Sequence, residues 1–423
     1  MKEDFLHFLW SYKLLYTHRL KTVLNENLNI VNFGTHNKNS GPDFLNAHVF
    51  FNNQLWVGNI EIHLKSSDWY LHKHESDKNY DAVILHVVWE HDVAVFMKDE
   101  KPLPTLVLKD FIKPDVLKKY KTLMLSRKNW IFCEKQVSDF DDFFLKKWFE
   151  KLYIQRLEHK TKYVNKLLYL THHDYEAALF YLLAKTFGSK VNGVAFLKLA
   201  QSFPYTILRK LRFHETQLSA LLFGQAGFLE GDLEDTYFME LKKEYTYIKH
   251  KFKLNPLDKH EFKFFRMRPA NFPTIRIAQL VALILKFPDL FSIVVEAKEL
   301  NVFYKIFAIG IGEYWKEHYT FETKSKKSSK FFTKSFIDLI IINVIIPMKF
   351  EFMKNYGKVN IEVLLDIIRK ISPEKNSAIS KFNKIDLVAK NALDSQALIE
   401  LRNSYCDKSR CLECAIGKNL LTK

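Results

Sequence analysis

Asp43, in the turn Gly41-Pro42-Asp43-Phe44, stands eighteen residues ahead of Glu61, which opens the run Glu61-Ile62-His63-Leu64-Lys65. Side chains alternate in direction along a strand, so Glu61, His63 and Lys65 share one face. Phosphodiester hydrolysis by a hard cation uses this set of groups. Asp43 and Glu61 would hold Mg2+ or Mn2+ with water ligands left over, while His63 or Lys65 would activate a water and screen phosphate charge. Taken singly, Asp43 reads as a turn or N-cap residue and Glu61 as an edge residue. Their order and spacing make them a candidate catalytic site.

Further ligand-type side chains follow at once: Asp68, His72, His74 and Asp77, then His86 inside Ala82-Val83-Ile84-Leu85-His86-Val87-Val88-Trp89. An imidazole on so apolar a strand needs a partner. His86 either joins the Glu61 and His63 face or is a core histidine bonded elsewhere, and His72 and His74 are either loop polarity or ligands. A third function class comes from these histidines, a metallohydrolase with His63, His72, His74 and His86 around a transition metal.

The cysteines form a second constellation. Cys406-x4-Cys411-x2-Cys414 is too dense to explain by packing, and with Cys133 it uses every thiol in the chain, so a soft metal is expected, as Zn2+ or an iron–sulphur cluster. Four cysteines in 423 residues are not a disulfide framework, which points to a reducing, cytoplasmic setting. Arg266, Arg268 and Arg276 lie around a Pro-containing turn and either clamp phosphates or pair with carboxylates at a helix start. Gly224, Gly227 and Gly231 follow no strand, so a dinucleotide loop is excluded.

The elements that must position these residues are legible as patterns. Phe5, Leu6, Leu9, Trp10, Leu14 and Leu15 recur at helical spacing and predict an opening amphipathic helix. Residues 28–33 alternate as a strand, 35–42 read as a loop, and 47–51 with 55–65 read as a hairpin across Asn52-Asn53-Gln54. A loop or short helix over 66–80 leads to a central strand at 82–89, further strands at 93–97 and 105–108, and a helix from Pro114. From about residue 140 the pattern turns helical. The expected organisation is α+β: an α/β domain with a mixed sheet over 1–125, a larger all-α domain over 126–405, and a Cys-rich metal-binding segment over 406–423 that closes the helical part.

Hydrophobic residues make up 48% of the chain, with 37 Phe and 19 Tyr, which supports folded domains and excludes a disordered chain. Lys and Arg outnumber Asp and Glu by 64 to 48, a net charge of +16 that suits a polyanionic partner. The bias of an AT-rich genome toward lysine explains the same excess. The most apolar run, 337–348, is interrupted by Asp338 and Asn343 and is far short of the ~20 residues of a membrane span, so a buried helix is expected and no membrane partner. The opening MKEDFLHFLW does not read as a secretory signal.

Pro42-Asp43 followed by Glu61-Ile62-His63 resembles the PD-(D/E)XK nuclease superfamily. That resemblance implies a restriction-endonuclease-like core: a helix, a β-meander bearing the Asp and the Glu-x-Lys, another helix and a further strand. It also implies a metal-dependent nuclease whose partner is nucleic acid, DNA foremost or else RNA. His63 stands where that family has lysine, with Lys65 two residues on. Three outcomes follow: His63 acts as the base, Lys65 reaches in, or the chain is an inactive relative that binds nucleic acid or serves as a scaffold. Cys133 with Cys406, Cys411 and Cys414 is similar to the iron–sulphur staple of certain helicase-associated and CRISPR-adaptation nucleases. The stretches GPDF, VGNIEIHLKSSDW, DAVILHVVWEHD, RMRPANFPTIRIAQL and YCDKSRCLECAIG together resemble a bacterial family catalogued as a domain of unknown function.

Overall fold

The computed structural model describes residues 1–125, 129–357 and 360–422. The chain divides into two compact units, one of Met1–Asp141 with Ile385–Leu387 and Leu401–Lys423, the other of Asp142–Lys384 with Val388–Glu400. The mixed sheet lies in the first and most of the helix in the second. Two boundaries differ from expectation. The first unit runs to 141 and not 125, and the residues after 400 belong to it because the helix Ala415–Thr422 packs on α3, Pro114–Leu125.

In the first unit, helix α1 (Glu3–Ser11) buries Phe5, Leu6, Phe8, Leu9 and Trp10. That apolar stripe fixes the helix, and the Trp10 indole N–H donates to the Phe33 carbonyl at 2.9 Å. The sheet contains β1 (Leu20–Lys21), β2 (Asn27–Asn32), β3 (Thr35–His36), β4 (Phe44–Phe51), β5 (Gln54–Lys65), β6 (Val83–Glu90) and β7 (Thr105–Val107). Its order is β1-β2-β4-β5-β6-β7, with β3 paired on β4. The strands up to β5 are antiparallel, whereas β6 runs parallel to β5 and β7 parallel to β6.

Local chemistry explains most of this order. Asn52 and Asn53 take positive φ of 45° and 72°, the left-handed region that a tight hairpin turn needs and that asparagine tolerates. β6 sits between two neighbours, so its continuous apolar run is buried from Val83 to Val88. The parallel pairing of β5 and β6 requires a crossover, which residues 66–82 supply with the short helix α2 (Asp68–Leu71).

Two local expectations change. Residues 35–36, expected as loop, form the short β3. Residues 93–97, expected as a strand, make only an isolated bridge between Phe96 and Pro102 and a small turn in which Leu103 N–H donates to Val95 O at 2.8 Å. Pro102 and Pro104 lack the N–H groups that would extend a ladder there.

The second unit is helical. Helix α4 (Asp142–Leu170) presents Trp148, Phe149, Leu152, Leu157, Val164 and Leu167 to its core, and the helix Ala392–Glu400 packs along it. The run 337–348 is helical and largely buried, as its composition predicts. Buried Lys349 donates to the carbonyls of Val294, Val295 and Ala297 at 2.7, 2.6 and 2.8 Å, satisfying the end of the helix Leu290–Glu296. Among the described residues no single helix is long and apolar enough to cross a membrane.

Gly58 sits where β5 passes closest to the start of β6. A Cβ there would lie 2.4 Å from Ile84 Cγ2 and 2.6 Å from the Ala82 carbonyl. Gly58→Val is therefore expected to lower stability by about 1–3 kcal/mol through overpacking, read as a reduced melting temperature, while Val57→Thr on the exposed part of the same strand changes it little.

Candidate metal centre

Alternation along β5 places Glu61 and His63 on one face, and both are buried, Glu61 at 5% exposure and His63 at 1%. Asp43 lies just before β4 and is locked to β5 by two reciprocal bonds. Its N–H donates to Glu61 Oε2 at 3.1 Å, and its Oδ2 accepts the Ile62 N–H at 2.9 Å. The two carboxylates, distant in sequence, are thereby neighbours. Helix α1 packs against β5 and brings His7, whose Nε2 is 3.2 Å from Asp43 Oδ2, with Glu3 one turn earlier at 3.9 Å from the same nitrogen.

The crossover after β5 supplies the remaining groups. Ser66 ends the strand by donating its hydroxyl to Asp92, while its oxygen accepts the N–H groups of Asp92 and Val93. Trp69 is then buried against Tyr80, Val83, Val95 and Leu103, which pins the loop. Lys73 turns the chain through φ 61°. His72 and His74 consequently project from a polar loop back onto β5, and His74 stacks on Tyr80 at 3.7 Å. His86, the register partner of Glu61 on β6, closes the group from behind.

The donor atoms of His63, His72 and His74 lie within 4.8 Å of one another. His63 Nε2 is 3.1 Å from His72 Nδ1, and Glu61 Oε1 is 3.4 Å from both His63 Nε2 and His74 Nε2. Four N and O ligands placed tetrahedrally at about 2.0–2.1 Å from an ion stand roughly 3.3 Å apart. The three short contacts, His63 to His72 and Glu61 to His63 and His74, fall near that spacing, while the set whose donors all lie within 4.8 Å of one another is the three histidines. On its other side His63 Nδ1 shares a 2.9 Å hydrogen bond with His86 Nε2, the second contact that orients a ligating imidazole.

Burial sets the protonation states. It pulls His63 from the ordinary 6.5 to about 3, with neighbouring His74 and His72 adding to the effect, and it pulls His86 well below 6.5. Both rings are neutral near pH 7, the form that ligates metal. Burial also raises the Glu61 carboxyl, and although the His74 hydrogen bond opposes this, the charge of Asp43 reinforces it. Glu3 is pushed up to about 7, again chiefly by burial. His7 goes the other way from His63 and His86. Burial works to lower it, but its bond to Asp43 and the charges of Asp43 and Glu3 outweigh that and raise it.

The candidates from sequence are thus distributed unevenly. Asp43, Glu61, His63 and His86 come together, joined by His72 and His74. Lys65 is exposed at the end of β5, its backbone N–H bonded to Asp68 Oδ2. Cys133, Cys406, Cys411 and Cys414 line one cavity elsewhere in the first unit. The arginines belong to the second unit, and one expectation there is corrected. Arg276 is no phosphate clamp, since it is buried over the Phe336 ring at 3.7 Å and donates to Gln279 and Asn271 at 2.9 and 2.7 Å. Arg266 and Arg268 remain exposed. Glu3 and His7 were not foreseen; their signal is an i, i+4 acid–histidine pair on the polar side of an otherwise apolar helix.

The fold and the site define an α+β protein with a buried histidine–carboxylate cluster on its mixed sheet. The chain belongs to DUF2851, a family of proteins of unknown function whose pattern matches residues 3–377. That span holds every residue of the cluster and ends before Cys406. No curated protein and no solved structure matches the chain.

The low values of His63 and His86 fix a pH dependence for metal-free protein. Their folded values lie below the unfolded 6.5, so the unfolded chain binds protons first. Stability from these groups is whole above about 6.5 and is lost progressively as pH falls toward 3. Chelator-treated protein is expected to show a melting temperature that drops from pH 7 to pH 5. At pH 7 a divalent transition metal at 100 times its Kd is expected to raise the melting temperature, corresponding to about 2.7 kcal/mol of added stability, and His72→Ala with His74→Ala to remove that rise.

Proposed function

We propose that the protein is a metal-dependent nuclease, with an ion held by Glu61, His63, His72 and His74 beside Asp43. The observation that carries this reading is the convergence of the His63, His72 and His74 donor atoms within 4.8 Å of one another, with Glu61 Oε1 3.4 Å from two of those rings and the Asp43 carboxylate beside it. The donor set favours Mn2+, Zn2+ or Fe2+ over the Mg2+ that two carboxylates alone would suggest. When bound, such an ion lowers the pKa of a coordinated water toward 7 and polarises a phosphoryl oxygen.

The chain's own residues supply the rest. Asp43 accepts the Ile62 N–H and lies 3.2 Å from His7 Nε2, and so holds its carboxylate toward the donor group. His7, whose pKa its contact with Asp43 raises, takes the place of the absent lysine as the group facing phosphate. Glu3, near 7, is poised to take up a proton from an attacking water. His63 is assigned to ligation and not to base catalysis, because an imidazole pulled to about 3 is a weak base and both its nitrogens are engaged.

Nucleic acid as substrate is supported by the net charge of +16. A restriction-endonuclease-like core is part of the same reading. It is supported by the sequence α1, the antiparallel pair β4 and β5 bearing Asp43 and Glu61, a short helix and then parallel β6. That is the order the PD-(D/E)XK resemblance implies.

The test is cleavage of plasmid DNA, single-stranded DNA and RNA by purified protein with Mn2+, Zn2+ or Mg2+. Metal-dependent cutting is expected with Mn2+ or Zn2+, abolished by chelator and lowered roughly 100-fold or more in Glu61→Gln or His74→Ala. His7→Ala is expected to lower kcat more than KM. Salt-sensitive binding of nucleic acid with no cutting under any metal would instead favour a binding or scaffold protein, and cutting unchanged in Glu61→Gln would remove this site from the chemistry.

A further inference from the structure

The nuclease reading leaves the cysteines without a task. None of the four is joined in a disulfide among the described residues. Cys133, Cys411 and Cys414 are buried, Cys406 is half-buried, and together they line a single cavity of about 20 Å³ in the first unit, the space of one water-sized sphere. Neighbouring thiols act on one another. Burial raises Cys133 to about 12, with Cys414 and Cys411 contributing, and Cys406 is raised by burial and then by the other three.

Local backbone shape favours ligation. Cys414 N–H donates to Cys411 O at 3.2 Å, a tight turn within the C-x2-C pair, both of whose cysteines line the cavity. A second turn, in which Ser409 N–H donates to Cys406 O at 3.1 Å with Ser409 at φ 56°, brings Cys406 toward them. The last helix then lies directly on the first turn at Gly417, where a Cβ would meet the Cys411 carbonyl at 2.1 Å. Only glycine fits that approach. A buried thiol acting as a small hydrophobe explains one such residue. It does not explain four that converge on one cavity from two distant stretches, one of them carrying three cysteines in nine residues.

We propose that Cys133, Cys406, Cys411 and Cys414 hold a second, thiolate-bound metal centre that clamps residues 401–422 to the N-terminal unit. Zn2+ and an iron–sulphur centre share this ligand chemistry. Ligation reverses the effect of burial, because a coordinating thiol is deprotonated outright. The clamp also reaches the first site through packing: the helix Ala415–Thr422 lies on α3, whose Tyr120 stacks on Phe5 of α1 at 3.7 Å, and α1 carries Glu3 and His7.

The test is elemental and thiol analysis of full-length protein purified without oxygen or chelator. Expected is either zinc, in colourless protein, or iron with acid-labile sulphide and a visible charge-transfer band. In either case the metal persists in His72→Ala with His74→Ala and is lost in Cys411→Ser and Cys414→Ser. Should those variants fail to fold, titration of the wild-type chain with an organomercurial decides, since metal release must track modification of four thiols. Thiols that titrate fully with no metal released, or metal that disappears in the double histidine variant alone, would overturn the proposal while leaving the nuclease test unaffected.

Discussion

Glu61 is a carboxylate removed from water with Asp43 held against it, and burying two like charges together is costly unless something positive compensates. Burial holds His63 and His86 neutral, so neither supplies that charge by protonation. Glu61 and Asp43 thus stand beside two imidazoles, His63 and His86, that burial keeps uncharged. A divalent cation satisfies both halves of that arrangement at once, and the 3.1–3.4 Å spacing of the donors fits one.

The rest of the first unit serves this group. Parallel pairing of β5 and β6 sets Glu61 opposite His86, and a one-residue slip would turn both away. The crossover demanded by parallel strands becomes the loop that returns His72 and His74, anchored by buried Trp69 and by the Ser66 and Asp92 bonds. Helix α1 adds the one histidine whose surroundings raise its pKa. Acid, neutral ligand and cation thus come from three elements with different local environments, and the environment assigns each its role.

Much of this was legible in the chain. Period 3.6 found α1, alternation found the hairpin, and the apolar run 82–89 found the central strand, since burial on one or both faces writes itself directly into residue type. Pro42-Asp43 and Glu61-x-His63 marked the site because strand alternation is a short-range rule. What stayed hidden depends on long-range geometry. Whether His72 and His74 point outward or back onto β5 is decided by a left-handed turn at Lys73 and by Trp69 packing, neither of which local pattern encodes. His63 looked like a base because an isolated histidine titrates near neutrality; its enclosure, which pulls it to about 3, argues against that role. Arg276 looked free because charge in sequence says nothing of burial.

The central claim is that a metal sits among Glu61, His63, His72 and His74, and anomalous diffraction addresses it most directly. Crystals of the full chain grown with Mn2+ or Zn2+, measured at the absorption edge of that metal, should show an anomalous peak within bonding distance of Glu61 Oε1 and the ring nitrogens of His63, His72 and His74. A peak only at the cysteines, or none within the histidine group in crystals saturated with metal, would contradict the account.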